Sequence, residues 1–160
     1  IKTDGTLWVW GYNVYGQLGD NTTILRSTPV TTFAGGTNWK QVSCANFHTA
    51  AIKTDGTLWT WGRGDSGQLG NAAITNRSTP VTTFAAGTNW KQVSCGSFHT
   101  TAIKTDGTLW TWGLNSYGQL ATNNIIQRNT PVTTFAGGTN WKQVAGGGLH
   151  TAAIQSTDNL

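Results

Sequence analysis

The stretch that decides the fold runs Phe98-His99-Thr100-Thr101-Ala102-Ile103-Lys104, then Thr105-Asp106-Gly107-Thr108, then Leu109-Trp110-Thr111-Trp112-Gly113. Two runs of β-branched, aromatic and small apolar residues flank an Asp-Gly pair. Asp-Gly in that setting is a strong hairpin signal, because glycine takes the positive φ that a tight turn needs. In the second run Trp110 and Trp112 share one strand face, and Leu109 and Thr111 share the other. Upstream, Trp90-Lys91-Gln92-Val93-Ser94-Cys95 reads as a further strand that enters the first run through Gly96 and Ser97. A fourth strand is expected over Pro80-Val81-Thr82-Thr83-Phe84, with proline first, where a missing N–H is tolerated.

This unit recurs. Ile1, Ile52, Ile103 and Ile154 are 51 apart, and so are Trp8, Trp59 and Trp110, then Trp39, Trp90 and Trp141, then His48, His99 and His150. A period near 50 with about four strands suits propeller blades, whereas ankyrin and tetratricopeptide arrays repeat every ~33–34 residues. The expectation is an all-β chain of β-propeller blades, each with four antiparallel strands. It forms one partial domain over 1–160, with repeats 1–51, 52–102 and 103–153 and the start of a further hairpin at 154–160. One blade cannot bury both faces of its sheet, but stacked blades bury each other. The nine tryptophans (Trp8, Trp10, Trp39, Trp59, Trp61, Trp90, Trp110, Trp112 and Trp141) read as that inter-blade core, each ring able to bury roughly 150–250 Å². There is no helical periodicity.

Composition agrees. Only 10% of residues are charged, against roughly 25% in an ordinary domain, and Gly, Thr, Asn and Ser, all poor helix formers, fill the gap. The net charge of +4 is scattered with no basic run, so nucleic acid is not an expected partner. No run approaches the ~20 apolar residues of a membrane span, and the low charge suits an extracellular or surface-exposed setting better than a cytoplasmic one. Cys44 and Cys95 sit one repeat apart. Equivalent positions in adjacent blades tend to lie too far apart for a disulfide, so buried free thiols are expected.

These residues resemble the regulator-of-chromosome-condensation repeat family. Its small-small-Gly-x-x-His motif matches Val144-Ala145-Gly146-Gly147-Gly148-Leu149-His150 and Val93-Ser94-Cys95-Gly96-Ser97-Phe98-His99. Its aromatic-x-Trp-Gly strand leading into Asn-x-x-Gly-Gln-Leu-Gly matches Trp8 to Gly19. Ala45, Gly64 and Ala121 depart from the pattern as local drift. The resemblance implies rings of seven blades. Closed propellers hold about four to eight, so three repeats do not close alone. The ring, of six or seven blades, would be completed by further blades of a longer chain or by a second copy; the duplicated segment at 154–160 favours the longer chain. Relatives of this family include nucleotide-exchange factors for small GTPases that bind chromatin, and secreted bacterial inhibitors of β-lactamase.

No catalytic, metal or cofactor site is expected. His48, His99 and His150 recur inside a fold motif and read as packed structural histidines. Cys44 and His48 could share a strand face, as could Cys95 and His99, but a zinc site usually needs four ligands and the third repeat has Gly146 in place of the cysteine. Asp4, Asp55 and Asp106 all occupy the hairpin turn, which explains them. There is no Glu, and the paired carboxylates of glycoside hydrolysis have no distinctive context. Gly146-Gly147-Gly148 precedes a strand, so it offers no helix N-terminus to a phosphate. Arg63-Gly64-Asp65 spells a tripeptide that some cell-surface receptors recognise, but it is a chance match in a loop slot that reads otherwise in the other repeats.

The variation between repeats carries the functional expectation. Residues 1–51 and 52–102 differ at 15 positions, and ten of these fall in two windows, 12–15 against 63–66 and 20–25 against 71–76. Both windows follow the Trp-Gly strand and read as loops. Varied loops on a constant scaffold suit a binding surface. The leading reading is therefore a non-enzymatic protein-recognition or scaffold module using loops on one face. The candidate contacts are Tyr12, Asn13, Tyr15, Arg63, Asp65, Leu114, Asn115 and Tyr117, chosen chiefly because aromatics and arginine are enriched at interfaces. A nucleotide-exchange factor and a structural part of a virion or cell-surface appendage are the alternatives.

Overall fold

The Asp-Gly hairpins form where the sequence places them. Strand β8 (His99–Lys104) turns into β9 (Leu109–Gly113) with register running from His99↔Gly113 to Ile103↔Leu109. Gly107 sits at φ 79° and Gly56, its counterpart, at φ 80°. The Asp106 carboxylate accepts the Thr108 N–H at 3.0 Å and the Thr108 hydroxyl at 2.7 Å. That hydroxyl oxygen accepts the Trp110 indole N–H at 2.8 Å. The turn aspartate thus positions a tryptophan three residues past the glycine. A Cβ on Gly56 would fall on the Thr88 carbonyl oxygen. Gly56→Ala is expected to lose about 2 kcal/mol from the strained φ and the displaced backbone together, read as a lower urea midpoint.

The computed structural model describes residues 1–156, so most of the hairpin start expected at 154–160 lies outside the described residues. The remaining strands are β1 (Trp8–Gly11), β2 (Arg26–Thr31), β3 (Trp39–Cys44), β4 (His48–Lys53), β5 (Leu58–Gly62), β6 (Arg77–Thr82), β7 (Trp90–Cys95), β10 (Arg128–Thr133), β11 (Trp141–Gly146) and β12 (Thr151–Gln155). They form two complete antiparallel sheets, β3-β4-β5-β6 and β7-β8-β9-β10, flanked by the half sheets β1-β2 and β11-β12. Sheets are therefore out of phase with the sequence repeat. Each 51-residue unit supplies the outer pair of one sheet and the inner pair of the next, because the chain changes sheet between β6 and β7 and not at the Asp-Gly turn.

The strand expected to begin at Pro80 begins instead at Arg77, with proline in fourth place. Proline is tolerated there because β6 is the outer edge of its sheet, and the ladder shifts register between Thr60 and Gly62, opposite Pro80.

Neighbouring sheets lock through a repeated hydrogen-bond relay. The Gln68 carbonyl accepts the Trp112 indole N–H at 2.9 Å and the Thr100 hydroxyl at 2.8 Å. Thr100 Oγ1 lies 2.9 Å from His48 Nε2. Its single proton is committed to Gln68, so His48 must be the Nε2–H donor. His99 meets Thr151 in the same way at 2.9 Å, with Thr151 donating to the Gln119 carbonyl. Burial holds both histidines neutral: the pKa of His48 falls to about 3 and that of His99 to about 4, with a smaller push from the neighbouring histidine. On the inner side, β3 packs on β7 and β7 on β11. The Gln41 amide brackets the Val93 backbone at 3.4 and 3.2 Å, and Gln92 brackets Val144.

Trp39, Trp61, Trp90 and Trp112 are buried, and Trp8, Trp59, Trp110 and Trp141 half-buried. Trp90 meets Trp110 and Trp112 edge-on at 6.0 and 6.1 Å, and Lys104 lies 4.4 Å over the Trp110 ring. Trp10 departs from the expected core. It is 59% exposed, because among the described residues no sheet covers that side of β1. Cys95 is a buried free thiol whose pKa burial raises to about 12. Cys44 is free but exposed, for the same reason as Trp10.

Candidate functional site

Strand direction places the expected contact loops together. The loops after β1, β5 and β9 leave the sheets on the same face as the β3–β4, β7–β8 and β11–β12 turns. The Arg63 N–H bonds the Phe47 carbonyl at 2.8 Å, and the Leu114 N–H bonds that of Phe98 at 2.9 Å. Side chains converge there. The Arg63 guanidinium carbon lies 5.1 Å from the Tyr15 ring centroid, 5.5 Å from Phe47 and 5.3 Å from Phe98. Tyr15 meets Phe47 edge-on at 5.3 Å, and Phe47 lies 5.9 Å from Phe98.

Asp65 closes the cluster. Its carboxylate accepts from Arg63 Nε at 2.8 Å and lies 2.7 Å from Nη2. Partial burial works against its charge, but the Arg63 bonds and those from Gln68 and Ser66 hold its carboxyl below the usual range. Arg63 is raised in turn, first by its bond to Asp65. Arg63 and Asp65 are bound to each other across a buried Gly64.

The cluster joins three candidates the sequence named, Tyr15, Arg63 and Asp65, to two it missed, Phe47 and Phe98. Their signal was present: a large apolar residue stands just before the histidine in every repeat, as Phe47, Phe98 and Leu149, in a turn that needs none. Tyr12 and Tyr117 are 56% and 72% exposed and lie outside the cluster. Leu114 is half-buried in the slot that corresponds to Arg63.

Asn13 and Asn115 must be removed from the contact surface. Both are fully buried. Asn13 Nδ2 donates to the carbonyls of Thr22 and Ile24 and to Asp20, while its Oδ1 accepts the Leu18 N–H at 2.9 Å. Asn115 does the same with Asn124, Ile126 and Leu120. A buried amide that satisfies loop backbone organises the loop and is not free for a partner. In the second repeat Gly64 replaces this asparagine, and its N–H is taken up by Asn76 Oδ1 at 3.1 Å instead. Departure from the motif has thus been met by a change elsewhere in the same loop.

Among the described residues no group of three His, Cys, Asp or Glu is placed to hold a metal. Among the described residues no helix is long and apolar enough to cross a membrane.

Comparison with known proteins agrees with this geometry. The family model described as the regulator of chromosome condensation (RCC1) repeat matches residues 4–52, 55–103 and 106–154. The ultraviolet-B receptor UVR8 of Arabidopsis thaliana is 34% identical over 164 residues, which cover 100% of this chain and 37% of the receptor. The crystal structure of human WBSCR16 superposes with a TM-score of 0.83 at 24% identity over 98% of this chain and 42% of that one. That of Prp20p from Saccharomyces cerevisiae superposes with a TM-score of 0.83 at 18% identity over 99% and 42%. The chain thus spans less than half the length of each of these proteins. Period, sheet order and the conserved-motif match over nearly all of its length make this chain a member of the RCC1 repeat family, with the β-propeller fold.

Proposed function

We propose that this chain is a non-enzymatic recognition module that binds protein partners through the face bearing Tyr15, Phe47, Arg63 and Phe98. The observation that carries this is the cluster itself. Three aromatic rings and an arginine, all half-buried, are held side by side at the mouths of the loops that vary between repeats. Half-buried aromatics grouped with an arginine are the composition of interface hot spots. The hydrogen-bond relay below them recurs from sheet to sheet, so loop sequence can vary without loss of the fold. The related yeast Prp20p is described together with its binding to Gsp1p and histones, which supports a protein-binding role for the fold.

The test is affinity capture with the immobilised chain, comparing the native protein with a Tyr15→Ala/Arg63→Ala/Phe98→Ser variant of unchanged circular dichroism. Partners held by this face are expected to be lost from the variant, with about 2 kcal/mol or more per hot-spot side chain. A partner set that is the same for both proteins would refute the assignment. Acceleration of nucleotide release from a captured GTPase would instead favour the exchange-factor reading.

A further inference from the structure

Basic residues that are scattered along the sequence are sorted by the fold. Arg26, Arg77 and Arg128 open β2, β6 and β10, and Arg63 follows β5, so every arginine stands at the end of the sheets that bears the aromatic cluster. Every lysine stands at the opposite end. Lys53 and Lys104 close β4 and β8 beside the Asp-Gly turns, Lys2 holds the same place before β1, and Lys40, Lys91 and Lys142 are second in β3, β7 and β11. The aspartates at that end, Asp4, Asp55 and Asp106, are engaged by their own turns. Both ion pairs among the described residues, Arg26–Asp20 and Arg63–Asp65, lie at the arginine end. Lys53 lies 4.6 Å over the Trp59 ring and Lys104 4.4 Å over Trp110. Lys40, Lys91 and Lys142 are exposed.

Phenylalanines share the lysine end. Phe33, Phe84 and Phe135 stand two residues past β2, β6 and β10 and are 64%, 69% and 74% exposed. Their backbones are pinned, with N–H groups bonded to the carbonyls of Gly19, Gly70 and Ala121 at 2.7, 2.8 and 2.8 Å. The preceding Thr32, Thr83 and Thr134 are buried, so alternation turns each ring outward. Phe84 shows that this exposure belongs to the fold. Its sheet is complete, and it has a neighbour on either side, bonded through Trp61 to Gln17 and through His48 to Thr100. Exposed apolar side chains presented as a group mark a docking surface.

The partner's chemistry follows from the combination. Unpaired lysines suit a negative surface, and phenyl rings suit an apolar layer within reach of it. An anionic phospholipid surface supplies both, with phosphates at its boundary and acyl chains just beneath. The lysine end is also uniform: its phenylalanine, its two lysines and its aspartate recur unchanged in every repeat, whereas the loops at the arginine end vary. A folded partner is matched by a unique shape, a lipid surface by a repeated one.

We propose that the lysine end of the sheets docks on anionic phospholipid membranes, with Phe33, Phe84 and Phe135 entering the interface and Lys40, Lys91 and Lys142 meeting headgroup phosphates. This does not depend on the partner-binding face, which lies at the other end. Cosedimentation with vesicles of phosphatidylcholine containing about one-third phosphatidylserine, and of phosphatidylcholine alone, tests it. The native chain is expected to partition onto the anionic vesicles at least about 10-fold more than onto the neutral ones, a preference that high salt removes. Phe33→Ser/Phe84→Ser/Phe135→Ser and Lys40→Gln/Lys91→Gln/Lys142→Gln should each lower that partition at least about 10-fold. Circular dichroism should be unchanged in both, since the replaced side chains are exposed. Tyr15→Ala/Arg63→Ala/Phe98→Ser should bind vesicles as the native chain does, which separates the two faces. A native chain that binds anionic vesicles no better than neutral ones overturns the proposal, as does anionic-vesicle binding that the serine variant retains. Retention by the serine variant together with capture on duplex DNA would make the face a polyanion site instead.

Discussion

Trp112→Ala is expected to destabilise the fold by about 3–5 kcal/mol, the range for deleting a large buried aromatic, while Trp10→Ala, at the same place in the repeat, is expected to cost less than about 1 kcal/mol. Trp112 is fully buried, meets Trp90 edge-on and donates its indole N–H to Gln68. Its removal opens a cavity between two sheets and leaves the Gln68 carbonyl with Thr100 alone. Trp10 is 59% exposed. Urea unfolding of the two variants checks the contrast, and equal losses would show that the sheets do not bury Trp112 as described.

The second large effect is on acid stability. His48 and His99 have folded pKa values depressed to about 3 and about 4 by burial, while in the unfolded chain each titrates near 6.5. Between these values the unfolded state binds more protons than the folded one, so stability falls as pH falls below about 6.5. By pH 5 each histidine is expected to have withdrawn about 2 kcal/mol. The loss should be complete only near the folded values. The carboxylates with depressed pKa values act in the same direction but below about pH 4, so the window from pH 7.5 to 5 isolates the histidines. Unfolding midpoints across that window check this. A His48→Gln/His99→Gln variant should be less stable at neutral pH, because the sheet-to-sheet bonds change, yet nearly flat with pH from 7.5 to 5.

The same histidines mark the boundary of what sequence reveals. Their recurrence inside a motif pointed to a structural role. Their partners could not be read, because Thr100 and Thr151 belong to the following sheet and are separated from them by 52 residues. The hairpins were legible for the opposite reason. Asp106, Gly107, Thr108 and Trp110 interact within five residues, so local chemistry decides their geometry. Asn13 and Asn115 were misread because a polar residue in a loop window is indistinguishable in sequence from an exposed one. Only the return of the loop over Thr22 and Ile24 buries it. Phe47 and Phe98 are each, taken alone, an ordinary turn neighbour, and only the fold brings Tyr15 and Arg63 against them from two other loops.

Two kinds of information separate cleanly in this chain. The stretch from Phe98 to Gly113 determined by itself the strand pair, its turn and its repeat, because period-two alternation and an Asp-Gly turn act over a few residues and need no distant partner. Tertiary structure decided which tryptophans are core and how the sheets are phased against the repeat. Those properties depend on what lies across the joint between sheets, and residues identical in sequence face different neighbours there.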